Sequence, residues 1–149
     1  MREALADMLV MDEGLRLKVY DDHNGEPIKK GTKVEKYPTI GVGRELSMFG
    51  ITEDEAKYLL MNDIERVLKE AEAFTWWNNL NEARKVCVAN MLFNLGLTRF
   101  NQFKNFQARL LESNWSKAAD EMMDSRWAKQ VKTRATRLEK IMRTGQLLS

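Results

Sequence analysis

The sequence predicts an α+β fold, with a small sheet-bearing N-terminal lobe, a long connecting helix and a helical C-terminal lobe. Three observations carry this. Every strand-like pattern falls between residues 15 and 45. From Thr52 onward, apolar residues recur at helical spacing. The chain has 149 residues, near the commonest length for one domain, with no linker-like composition, no repeat and only two prolines, Pro27 and Pro38.

Residues 3–12 read as a short amphipathic helix with Leu5, Met8 and Leu9 on one face, and Gly14 is its expected stop. Leu15-Arg16-Leu17-Lys18-Val19 then alternates strictly, which is strand period. Asn24-Gly25 is a hairpin-type turn signal, and Tyr37–Gly43 is a second strand-like run punctuated by glycines. Thr52 and Glu55 have capping-box spacing. Ala56, Leu59, Leu60, Ile64, Val67, Leu68 and Ala71 follow at i, i+3, i+4. This predicts a helix of about 20 residues, roughly 30 Å long, with a charged face that suits a bridge between lobes. Residues 82–95 are small or apolar on several sides and end at Gly96, as a buried helix would. Shorter helices are predicted at 103–112, 115–124 and 134–143, with Arg143-Thr144-Gly145 as the final stop. The expected organisation is one domain, 1–149. Lobe 1 spans about 13–60 with the sheet, and lobe 2 spans about 74–149 together with helix 1–12.

Composition narrows the chemistry. A hydrophobic fraction of 44% and a charged fraction of 31% describe an ordered globular chain. A chain of this size buries about 68–70% of its unfolded surface and needs no staple. Cys87 is the single cysteine, so no internal disulfide forms, and no Cys/His group has zinc-ligand spacing. His23, the only histidine, lies in a polar turn-like stretch. No metal and no cofactor are therefore expected. No apolar run approaches the roughly 20 residues of a membrane span, so no stable membrane insertion is expected. Met1–Asp12 carries Glu3, Asp7 and Asp12 and does not read as a secretory signal. A cytoplasmic start is expected, with release by another agent.

The net charge of +2 hides an asymmetry. Residues 100–149 hold ten Lys/Arg against five Asp/Glu. Within 126–143, seven basic residues (Arg126, Lys129, Lys132, Arg134, Arg137, Lys140, Arg143) face Glu139 alone. Such a segment attracts polyanions, whether nucleic acid, acidic lipid or an anionic wall; the plain alternative is a solvated helix face.

With histidine and metal chemistry removed, carboxylates remain. Counting 100° per residue from Leu5 puts Leu9 and Glu13 on one side of the first helix, so Glu13 is expected to face apolar surroundings. Such a setting disfavours the charged form of a carboxyl, and a carboxylic acid that stays protonated can act as a general acid. The alternative is an exposed glutamate in a frayed last turn. Asp22 ends the first strand beside Asp21 in a polar turn, where aspartate is common for backbone reasons. Two carboxyls in contrasting environments are what glycoside hydrolysis requires. Thr39 offers a hydroxyl to position a water, or is an ordinary strand residue.

The run Glu13-Gly14-Leu15-Arg16-Leu17-Lys18-Val19-Tyr20-Asp21-Asp22 resembles the active-site segment of the phage lysozymes of the T-even type, glycoside hydrolase family 24. That pattern is E-G-x-x-L-x-x-Y-x-D, followed by T-I-G-x-G, here Thr39-Ile40-Gly41-Val42-Gly43. The similarity continues through Gly50-Ile51-Thr52, Asn90–Gly96, Ser125-Arg126-Trp127 and Arg143-Thr144-Gly145. The resemblance implies a lysozyme-like fold and an N-acetylmuramidase that cleaves the β-1,4 bond between N-acetylmuramic acid and N-acetylglucosamine in peptidoglycan, with inversion. It implies Glu13 as general acid, Asp22 as second carboxylate and Thr39 beside the attacking water. It implies Arg134 as an arginine paired with the catalytic glutamate, and Phe93 and Gln130 as cleft-lining positions; a core aromatic and a surface amide are the alternatives for the last two. Bacterial peptidoglycan is the expected partner, of a monomer that does not bind nucleic acid. The resemblance further implies an endolysin held in the host bacterial cytoplasm until a separate membrane-permeabilising protein releases it to the wall. A second reading is a non-catalytic lysozyme-fold protein that binds wall or nucleic acid through the basic face near Trp127. The chain departs from the family in residues 23–38, a long insertion between Asp22 and Thr39 with four lysines, expected to lengthen the hairpin. It departs also at Arg44, where a histidine is usual, and at Phe106, to which no binding role carries over.

Overall fold

The computed structural model describes residues 1–147. It resolves into two compact units, Met1–Lys57 and Tyr58–Ser149.

In the first unit, α1 (Arg2–Glu13) ends at Gly14, whose N–H donates to the Val10 carbonyl at 2.9 Å. The predicted helix is present, but none of its residues is buried; Leu5, Met8 and Leu9 are exposed. Three strands follow, β1 (Arg16–Asp21), β2 (Pro38–Gly41) and β3 (Arg44–Glu45), antiparallel in the order β1-β2-β3. The register pairs Arg16 with Gly41, Tyr20 with Thr39 and Asp21 with Pro38. Four steps along β1 thus match two along β2, an irregularity that breaks the simple inside–outside alternation. Leu15 and Leu17 are exposed, and burial falls on Tyr20 and Asp21. The Arg16 guanidinium lies over the Tyr20 ring at 3.7 Å and donates to the Gly25 carbonyl at 2.9 Å.

The 23–38 insertion lengthens the hairpin by a single bridge, Tyr20 with Pro27, and is otherwise irregular until Pro38 begins β2. After it, α2 (Leu46–Phe49) precedes α3 (Glu53–Glu72), whose first turns belong to this unit. The capping box is reciprocal: Thr52 N–H donates to Glu55 Oε2 at 2.8 Å, and Glu55 N–H donates to Thr52 Oγ1 at 3.2 Å. Arg44 donates to the same Oε2 and to the Gly50 carbonyl, both at 3.0 Å. The Thr52 N–H, aided by Arg44 and opposed by burial, holds the Glu55 carboxyl below its ordinary range. Arg44 therefore ties β3 to the start of α3.

The second unit holds the large apolar core. It contains α4 (Glu82–Leu95), α5 (Leu97–Phe100), α6 (Lys104–Leu111), α7 (Trp115–Met123), α8 (Arg126–Val131) and α9 (Thr133–Thr144). Helices α4, α6, α7 and α9 pack around Met91, Leu92, Phe100, Phe106, Leu110, Met122 and Met142. Burying a side chain of this size contributes about 1.5–3 kcal/mol. Four of these helices match the predicted spans within two residues at each end. The short α5 and α8 do not follow from periodicity, because four and six residues are too few to display it. Ser125 starts α8 by accepting from Ala128 N–H at 3.1 Å. At the far end, Gly145 is left-handed (φ 68°). Arg84 occupies the space beside it and donates from Nε to the Met142 carbonyl at 2.8 Å.

Cys87 is fully buried, and its thiol donates to the Leu138 carbonyl at 3.2 Å. Burial pushes the thiol up to about 12, which makes it a core residue and not a nucleophile. Among the described residues, no helix is long and apolar enough to cross a membrane.

Candidate functional site

Glu13 closes α1 and is exposed, not turned toward apolar surroundings as its helical phase suggests. The reason is that α1 buries none of its faces, so phase along it does not translate into burial. The side chain instead lies against Gly43, the second glycine of the Thr39–Gly43 run. A Cβ on Gly43 would sit 3.1 Å from Glu13 Oε2 and 3.4 Å from its Cδ. Gly43 also has φ +65°, which favours glycine, and a side chain there would press on the Glu13 carboxylate. In the sequence this glycine stands as strand punctuation and as the last residue of the T-I-G-x-G run, with no sign of its contact to Glu13.

Asp22 follows the last residue of β1 and is exposed. Its N–H donates to the Tyr37 carbonyl at 3.0 Å. Thr39 sits in β2, is buried, and donates its hydroxyl to that same carbonyl at 2.8 Å. The Tyr37 carbonyl thus accepts from both the Asp22 main chain and the Thr39 side chain. Because the Thr39 proton is committed, its oxygen is left to act as an acceptor.

The buried acid of this region is the neighbour, Asp21, at 3% exposure. Oδ1 accepts from His23 and Tyr37 N–H at 3.1 and 3.2 Å; Oδ2 accepts from Glu35 and Lys36 N–H at 2.7 and 3.2 Å. Burial pushes the carboxyl up, but the four N–H donors overcome it and hold it at about 2. In the sequence, Asp21 is distinguished only as the acid beside Asp22 and the alternative to it as second carboxylate. A carboxylate next to a long polar insertion was the available signal.

In the second unit, a groove of about 640 Å³ runs between α3 and α4. Trp77, Val86 and Phe93 supply apolar wall, and Lys85, Asn90 and Arg134 supply polar groups. Phe93 is 45% exposed, so it is not a core aromatic. Arg134, near the start of α9, is half-buried and lines the same groove. Gln130, on α8, is exposed and lies outside the groove lining. An apolar face with a few polar groups is the usual make-up of a small-ligand site. Phe106, by contrast, is core, at 1% exposure.

Trp127 cannot serve as a stacking surface. It is 4% exposed, and its Nε1–H donates to Asn94 Oδ1 at 2.7 Å. That removes the aromatic support for a nucleic-acid-binding face. The basic segment is solvated at Arg126, Lys129, Lys132, Arg137 and Lys140, none of which forms an ion pair among the described residues. Arg143 is paired with Asp120 and Glu139, which raises its affinity for its proton. Among the described residues no three His, Cys, Asp or Glu side chains gather as a metal site requires.

Comparison with known proteins accords with this architecture. The phage lysozyme family model matches residues 11–143. The pre-baseplate central spike protein Gp5 of Enterobacteria phage T4 is 31% identical over 98% of the chain, and the chain spans 28% of that protein's length. Two probable T4-type lysozymes of Dictyostelium discoideum, 1 and 2, are 27% and 28% identical, with 99% of the chain and 98% of each relative covered. A match that starts in the last turn of α1, takes in the sheet and the groove helices and ends within α9 leaves no doubt of ancestry: the chain belongs to the phage lysozyme family, whose lysozymes are glycoside hydrolases.

Proposed function

We propose that the chain is a muramidase that hydrolyses the β-1,4 bond between N-acetylmuramic acid and N-acetylglucosamine in bacterial peptidoglycan. The observation that carries this is the Tyr37 carbonyl, which binds the Asp22 N–H and the Thr39 hydroxyl together in the family motif. In this reading Glu13 protonates the leaving glycosidic oxygen. Asp22, in a wet setting, takes a proton from the attacking water, and the Thr39 oxygen orients that water. The water oxygen bonds to the anomeric carbon as the bond to the leaving sugar breaks, with inversion. Phe93, Gln130 and Arg134 contact the glycan chain, with an aromatic face for a sugar ring and polar groups for its hydroxyls. The enzyme acts as a monomer. It accumulates in the host cytoplasm and reaches the wall through a separate permeabilising protein.

The test is reducing-sugar release from purified peptidoglycan by wild type, Glu13→Gln and Asp22→Ala, with folding checked by circular dichroism. Both variants should be inactive and folded. Wild-type turnover in Glu13→Gln overturns the assignment, and release of amino groups in place of reducing ends would indicate an amidase or peptidase. The similarity to the spike protein favours a second setting for the same chemistry, within a phage particle. An immunoblot of purified particles against cleared lysate separates the two.

A further inference from the structure

We propose that Asp21, acting through the main chain of Tyr37, is a positioning residue for Asp22 and Thr39; the inference rests on the muramidase reading above. Asp21 is buried and binds only main-chain N–H groups. Its two oxygens offer about four acceptor sites, and four N–H donors fill them. Three of those donors, Glu35, Lys36 and Tyr37, lie 14, 15 and 16 residues away, at the far end of the insertion. One side chain therefore gathers the far end of the loop, beside the main-chain bond from Asp22 to Tyr37.

What this end of the loop holds is specific. The Tyr37 N–H donates to Asp21, and the Tyr37 carbonyl accepts from both Asp22 and Thr39. The strand pairing ends at Asp21 and Pro38, and one further main-chain bond, from Asp22 N–H to the Tyr37 carbonyl at 3.0 Å, continues it. Asp22 and Tyr37 both lie beyond the paired strands. Without Asp21, the Glu35, Lys36 and Tyr37 N–H groups would lose their shared acceptor, and the Tyr37 peptide would be held from its carbonyl side alone. The carboxylate converts an irregular insertion into a fixed support for the two groups that handle water. Because its own oxygens are fully used and buried, Asp21 does not meet substrate and is not a catalytic residue.

The experiment measures kcat and KM for reducing-sugar release, per folded molecule, well below the melting temperature of each variant. Asp21→Asn keeps the shape but turns an amide N–H toward two N–H donors. Its kcat should fall by about tenfold or more, because ångström-scale displacement of a reacting group has effects of that order, while KM stays within about twofold. Glu35→Ala keeps all four donors and removes only the 3.7 Å contact to His23, so its kcat should match wild type. A merely structural role would lower the melting temperature of Asp21→Asn and leave its kcat intact; that result overturns the proposal. If Asp21→Asn does not fold, Asp21→Ser is held to the same kcat criterion. Hydrogen exchange on wild type gives an independent reading: the Glu35, Lys36 and Tyr37 amides should be far slower than Lys30 and Lys33, and equal rates overturn the proposal. An inactive wild type defeats the muramidase reading and this inference together, whereas an active wild type with an unaffected Asp21→Asn defeats this inference alone.

Discussion

Replacing Gly43 with alanine perturbs the backbone and the candidate acid at once, and the two effects can be separated. At φ +65°, an L-residue costs about 1–2 kcal/mol relative to glycine. For a chain of this length that corresponds to a melting-temperature drop of about 2–8 °C. The new methyl would also stand 3.1 Å from Glu13 Oε2, 3.4 Å from Cδ and 3.5 Å from Cγ. Ordinary contact therefore requires the carboxylate to move by a few tenths of an ångström or more. Gly41 supplies the control. Its φ is +71°, and a Cβ there meets nothing within 4 Å. Gly41→Ala should lose the same stability and keep Glu13 in place. Thermal melts followed by circular dichroism should show similar drops for both variants. Turnover on purified peptidoglycan should fall about tenfold in Gly43→Ala, from displacement of a reacting group, and remain near wild type in Gly41→Ala. Wild-type kcat in Gly43→Ala would show that this contact does not position Glu13. Unchanged melting temperatures in both would refute the left-handed backbone argument itself.

Two further outcomes follow from the electrostatics. The Asp21 carboxyl is depressed from 3.8 to about 2, so it contributes stability that is complete above about pH 4 and lost as pH falls toward 2; urea melts across that window should weaken steeply in wild type and less so in Asp21→Asn. Lys129, Lys132, Arg137 and Lys140 are exposed and form no ion pair among the described residues, so lysis should weaken as salt shortens the Debye length from about 10 Å at 0.1 M to about 3 Å at 1 M; a rate insensitive to ionic strength would remove any steering role for this face.

Most of the helices were legible because their signals are local. The Thr52–Glu55 box is complete within four residues, and both of its hydrogen bonds are present. Gly96 and Gly145 mark ends that α4 and α9 respect. Local pattern misled where burial was inferred from it. The apolar face of α1 is exposed, and the alternation of β1 is interrupted by the irregular register to β2. Trp127 and Phe93 show the same limit: both are aromatic on helices, yet one is buried against Asn94 and the other lines a groove. Helical period cannot separate them, because it reports which residues share a face and not what that face meets.

By itself, then, the sequence determined the class of fold, the order of its elements and the chemistry available. One cysteine, one histidine and an ordered set of motifs leave carboxylates as the candidate reacting groups. Only the tertiary structure decided the setting of each carboxylate. Asp21 and Asp22 are adjacent and chemically identical. One is buried beneath four N–H groups and the other is left in solvent. Three of those donors arrive from up to sixteen residues away, and Glu13 meets Gly43 across thirty positions of sequence. Such encounters depend on loop closure and register, which are settled by the whole chain at once and leave no periodic trace in it.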